Sequence, residues 1–114
     1  MENKKLEIKT ERDGDKLTVT LTGKLDAVTA IELDKFMSKE LDGVKNLVID
    51  LKDLFYIASA GLRIMLKTQK RMNNQGEMFV KNIQRDVRTV MDMTGFSRLL
   101  TLEEEERKPF SVSF

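Results

Sequence analysis

The chain contains no cysteine, no histidine and no tryptophan, and only one proline and one tyrosine in 114 residues. Without cysteine there are no disulfides, no thiolate nucleophile and no thiolate metal site; without histidine there is no imidazole ligand and no Ser-His-Asp triad. With a single tyrosine and no tryptophan, base stacking on a nucleic acid has little to work with. Charge of one sign is lacking too. Twenty Lys and Arg stand against 19 Asp and Glu, so the net charge of +1 sets up no broad field for gathering nucleic acid or an anionic membrane. No apolar run approaches the roughly 18 residues a membrane helix needs, and the start, Met1-Glu-Asn-Lys-Lys5, leads into no long apolar core. The expectation is a cytoplasmic protein with no catalytic residues, cofactor or metal, which touches neither membrane nor nucleic acid.

What is present suits one compact α/β domain. Forty per cent of the residues are hydrophobic, enough for a core in a chain too short for two domains. Leu6 and Ile8, then Leu17, Val19 and Leu21, alternate with polar residues around Asp13-Gly14, which predicts an opening β-hairpin with Thr18, Thr20 and Thr22 turned from the core. Asp26 is placed to cap a first helix with Ala30, Leu33, Met37 and Leu41 inward and Gly43 at its end. Leu47, Val48, Ile49 and Leu51 read as a strand buried on both faces, followed by a helix over about 60–74 that stops at Asn73-Asn-Gln-Gly76. A strand at 78–80, a third helix over about 84–94 and a short strand at 99–102 complete a mixed sheet of four or five strands with three main helices. Met37, Met65, Met72, Met78, Met91 and Met93 read as gap-filling core.

One stretch suggests a task. Ser59 sits at the start of the second helix, beyond the carboxyl end of a parallel strand, where its hydroxyl is suited to an N-cap and where free amides and the helix dipole favour negative charge. With Leu62, Met65 and Leu66 facing the sheet, Ile64 falls on the outer surface with Ala60, Lys67 and Arg71. Phe55, Tyr56 and Ile57, read as the preceding loop, would join Ile64 in a small apolar patch with a basic rim. A plain N-cap would explain Ser59 equally well, and Asp50 and Asp53 are more simply a polar strand end and a turn than a Mg²⁺ site, because no third ligand is in view.

Two segments carry a resemblance. Gly23-Lys-Leu-Asp-Ala-Val-Thr-Ala30 and Ile57-Ala-Ser-Ala-Gly-Leu62 resemble the signature stretches of the STAS domain in bacterial anti-sigma factor antagonists. Those proteins carry Gly-x-Leu-Asp-Ala-x-Thr-Ala and then an apolar-x-Ser-(Ser/Thr/Ala)-Gly-Leu helix start, and the likeness spans about residues 5 to 102. It implies a phosphorylated serine at Ser59; with the apolar patch read above, the expected partner surface is Asp26, Phe55, Tyr56, Ile57, Ala58, Ser59, Ala60, Gly61 and Ile64. It also implies two partners, an anti-sigma factor with serine kinase activity and a phosphatase acting on phospho-Ser59, for a protein that is a monomer or weak homodimer. Many family members have Asp before the serine; here it is Ala58. Residues 103–114 form a separate tail in place of the usual last helix, four Glu running into Arg107-Lys108-Pro109, with Phe110, Val112 and Phe114 alternating as an edge strand does. A scaffold subunit of a signalling assembly, or a nucleotide- or lipid-binding module at the same edge, are the alternatives, the nucleotide version without a Gly-rich phosphate loop.

Overall fold

A computed structural model describes residues 5–103. The acidic tail beyond Glu103 and the edge-strand reading of Phe110, Val112 and Phe114 lie outside them.

Strand β1 (Leu6–Asp13) pairs antiparallel with β2 (Lys16–Leu25), from Leu6 opposite Gly23 to Asp13 opposite Lys16. The hairpin turn is therefore Gly14-Asp15, one residue later than the sequence signal, with Gly14 in the left-handed region at φ 65°. Helix α1 (Ala27–Glu40) leads to β3 (Asn46–Ile57), helix α2 (Ser59–Gln75) to β4 (Glu77–Lys81), and both new strands join in parallel, giving the order β1-β2-β3-β4. Helix α3 (Arg85–Thr94) and a short 3-10 turn (Phe96–Arg98) follow. Leu102 makes an isolated parallel bridge to Val80, which takes the place of the expected short fifth strand.

The core lies between one face of the sheet and the pair α1 and α2. Leu17, Val19, Leu21 and Leu25 of β2 and Leu47, Ile49 and Leu51 of β3 are buried against Ala30, Leu33, Met37 and Leu41 and against Leu62, Met65 and Met72. Loss of any one such leucine costs about 2–5 kcal/mol. Thr18, Thr20 and Thr22 are half-buried on the opposite face, beside Lys9, Glu11, Lys52 and Asp53. Five of the six candidate core methionines are buried, but Met93 is 81% exposed. It lies on the outer side of α3, whose buried residues are Val87 and Met91.

Strand β3 corrects the sequence reading. It does not stop near Leu51 but runs six residues further to Ile57, so Phe55, Tyr56 and Ile57 belong to a strand and not to a loop. Its register against β2 slips twice: Thr20 and Thr22 face Asp50 and Asp53, and Gly23 and Lys24 face Leu54 and Tyr56. Each slip inserts one extra residue into β3, so its inward positions run Leu47, Ile49, Leu51, Leu54, Ile57. Spacing of two becomes spacing of three, and the alternation that identifies a strand disappears.

Candidate functional site

Strands β2 and β3 deliver their carboxyl ends side by side, and α1 and α2 begin there. The edge is held by backbone: the Ala58 amide donates to the Leu25 carbonyl at 2.9 Å, and the Lys24 amide to the Lys5 carbonyl at 2.8 Å. Gly23 is required for the second contact. Its φ is 112°, and a Cβ there would lie 2.1 Å from the Lys5 carbonyl oxygen.

The two helix starts are finished differently. Asp26 is the N-cap of α1, as expected: its Oδ1 accepts from the amides of Val28 at 3.0 Å and Thr29 at 2.9 Å, while its own amide donates to Thr29 Oγ1 at 2.8 Å. Lys5 Nζ completes the set at 3.1 Å from Oδ2. The Thr29 amide first, and Lys5 second, hold this carboxyl well below the usual carboxylate range. Asp26 is thus committed to its own helix.

Ser59 is not the cap of α2. That position is Ala58, whose methyl cannot accept a hydrogen bond, and no side chain caps this helix. The Ala58 carbonyl receives the amides of Gly61 at 2.9 Å and Leu62 at 3.1 Å, and Ser59 becomes the first helical residue, exposed. Its hydroxyl has no hydrogen-bond partner among the described residues. One helix start therefore carries its own carboxylate; the other presents an exposed hydroxyl beside uncapped amides, in the positive field of the helix dipole.

Around Ser59 the structure brings together part of the expected surface. Phe55 and Tyr56 are 59% and 50% exposed, and Ala60 is half-buried at the rim. Ile57, by contrast, is 3% exposed, and Gly61 is buried against Leu25. Neither presents a side chain to a partner. Ile64 is not on the open surface either. It is half-buried against the core, on the flank where Lys67 pairs with Asp34, Arg71 with Asp42, and Gln75 donates to the Leu41 carbonyl, all on or just after α1. The buried face of α2 also includes Thr68 and Gln69, polar residues that hide it from an apolar pattern; Thr68 Oγ1 donates to the Ile64 carbonyl at 2.8 Å. Sequence reasoning missed Val28 and Ile31, 60% and 57% exposed on the first turns of α1 at the same sheet edge. Their signal is an apolar pair three residues apart on the face opposite Ala30, Leu33 and Met37.

Asp50 is occupied by neighbours, its Oδ1 accepting from the Lys52 amide at 3.0 Å and Asn82 Nδ2 at 3.1 Å. Among the described residues no three acidic, His or Cys side chains are grouped to hold a metal ion, and no helix is long and apolar enough to cross a membrane.

The STAS domain family model matches residues 7–108, and the chain belongs to that family. It is 34% identical over 82 residues, 70% of this chain and 71% of the other, to BtrV of Bordetella bronchiseptica, a candidate anti-sigma factor antagonist. It is 28% identical over 106 residues, 89% of each, to the anti-sigma F factor antagonist of Paenibacillus polymyxa. The crystal structure of an anti-sigma factor antagonist from Mycobacterium paratuberculosis superposes with a TM-score of 0.77 at 23% identity, covering 90% of this chain and 88% of that one. The phosphorylated form of the Bacillus cell fate determinant SpoIIAA does so at 0.67 and 17% identity, covering 89% and 95%.

Proposed function

We propose that this protein is an anti-sigma factor antagonist that binds an anti-sigma factor with serine kinase activity, releases a sigma factor, and is switched off when its partner phosphorylates Ser59. A phosphatase acting on phospho-Ser59 resets it. The observation that carries the reading is the exposed Ser59 hydroxyl on the first turn of an uncapped helix, beside exposed Phe55 and Tyr56. Relatives named as antagonists of anti-sigma factors support the partner class. The role is regulatory binding without catalysis.

The physics of the switch follows from that placement. A phosphate adds about −1.5 to −2 charges near neutral pH. In the free protein those charges meet the first amides of α2, so the fold tolerates them. In a contact built on Phe55 and Tyr56 they must be stripped of water without a matched cation, a cost comparable with a modest affinity. The same group is thus harmless to folding and hostile to binding.

Affinity capture from the native lysate tests the reading, using unmodified protein and Ser59→Glu side by side. An anti-sigma factor is expected on the unmodified protein and not on the variant; equal capture by both contradicts the assignment of Ser59.

A further inference from the structure

The two edges of the sheet are finished differently. At β4 the outer edge is covered: the Val80 amide donates to the Thr101 carbonyl at 2.9 Å, and the Glu103 amide to the Val80 carbonyl at 2.8 Å. At β1, among the described residues, no hydrogen bond is made to the outer edge of the backbone. Its pairing with β2 runs unbroken from Leu6 to Asp13, without the proline or the bulge that commonly blunts an exposed edge.

The polar groups of that edge have a fixed order. The Lys24 amide donates to the Lys5 carbonyl, so Lys5 and, by the alternation of an antiparallel ladder, Glu7, Lys9 and Glu11 spend their backbone groups on β2. Leu6, Ile8 and Thr10 therefore turn their amides and carbonyls outward, ready to pair with another strand. The side chains of Glu7, Lys9 and Glu11 are exposed, while Ile8 is packed in part against the core.

We propose that β1 pairs antiparallel with β1 of a second copy, centred on Ile8, so that two four-stranded sheets become one continuous sheet. In this register Ile8 faces Ile8 and Leu6 faces Thr10, which matches outward amides to outward carbonyls. It also sets Glu7 against Lys9 and Lys5 against Glu11, each twice by the two-fold symmetry, so every charge from 5 to 11 meets its opposite. Neighbouring registers do not. Centring on Lys9 opposes Lys9 to itself and Glu7 to Glu11, centring on Thr10 opposes Glu7 to Asp13, and centring on Glu7 opposes Lys5 to Lys9. The charge pattern of β1 thus selects one way of joining two copies. The Ser59 ends of the two copies then point in opposite directions and both stay open, a consequence that rests on the function proposed above, whereas the pairing does not.

Sedimentation equilibrium of the full chain, from micromolar to millimolar loading, is expected to show the mass rising from one chain to two, as for a small and transient contact. Glu7→Lys alone and Lys9→Glu alone should each weaken self-association at least about tenfold, because like charges then face each other at both symmetric positions. Mixing those two variants in equal amounts should restore dimers, since each supplies the charge the other lacks. Thr10→Pro, which removes one outward amide and no bond to β2, should also abolish dimers while circular dichroism stays unchanged. Amide exchange at Ile8 and Thr10 should slow as concentration rises. A one-chain mass throughout, single variants that still dimerise, or a mixture that fails to do so would overturn the proposal. Slow exchange at Ile8 at every concentration would overturn it too, by showing the edge covered by its own chain.

Discussion

Gly61 is packed so tightly on Leu25 that a Cβ at this glycine would lie 2.6 Å from the Leu25 Cγ and 3.2 Å from its carbonyl oxygen. Leu25 ends β2 and is fully buried, so the first turn of α2 is seated on the strand beside it, and the position of Ser59 two residues earlier follows from that seat. Gly61→Val is expected to cost about 1–3 kcal/mol through overpacking. Ser59→Ala, at an exposed side chain without a partner, should stay within about 0.5 kcal/mol. Denaturant melts of the two variants check the order.

Phe55, Tyr56 and Ile57 are consecutive but face opposite ways, because the bulged strand turns only the last of them inward. Phe55→Ala with Tyr56→Ala should leave the melting curve nearly unchanged and weaken anti-sigma factor binding at least about tenfold, roughly 1.4 kcal/mol. Ile57→Ala should do the reverse and cost about 2–5 kcal/mol of stability. Thermal melts and titration calorimetry on the three proteins separate the two effects.

Ile64→Lys is expected to lower stability by about 1 kcal/mol or more, since the partly buried side chain is packed against the core and a charge would take its place. A melting curve like that of the parent protein would return Ile64 to the open surface.

Asp26 supplies a pH signature. Its folded-state affinity for protons is depressed by the Thr29 amide and Lys5, so it contributes stability that is fully present above the ordinary carboxylate value near 4. As pH falls the unfolded chain takes up the proton first, and the contribution is lost as the folded value is approached. The stability gap between the parent protein and Asp26→Ala should be constant from about pH 7 to 5 and shrink below about pH 4. Urea midpoints across that range measure it; a gap that widens on acidification contradicts the capping role.

The fold was legible where local chemistry is explicit. The hairpin, the Asp26 cap, the apolar stripe of α1 and the β3-α2-β4 crossover all follow from spacing and capping residues. The outer half of β3 was not, because two bulges convert its inward spacing from two to three and make 52–57 look like a loop. The phase of α2 was misjudged for a related reason. Its buried face includes Gly61, Thr68 and Gln69, which an apolar count ignores, so Leu66 was placed fully inward and Ile64 fully outward when both are intermediate. Ser59 was found as a position, although its expected cap role belongs to Ala58. Val28 and Ile31 were overlooked because an exposed apolar pair on a helix is ordinary in most proteins.

The measurement closest to the central claim joins one covalent change to one affinity. Incubation with the cognate anti-sigma kinase and ATP should add a single phosphate by intact mass, absent in Ser59→Ala. The phosphorylated protein should keep its thermal unfolding transition while calorimetry shows at least about tenfold weaker binding to that kinase, a change of roughly 1.4 kcal/mol. Phosphate on another residue, or equal affinity of the phosphorylated and plain proteins, would contradict the switch and favour a scaffold role for this domain.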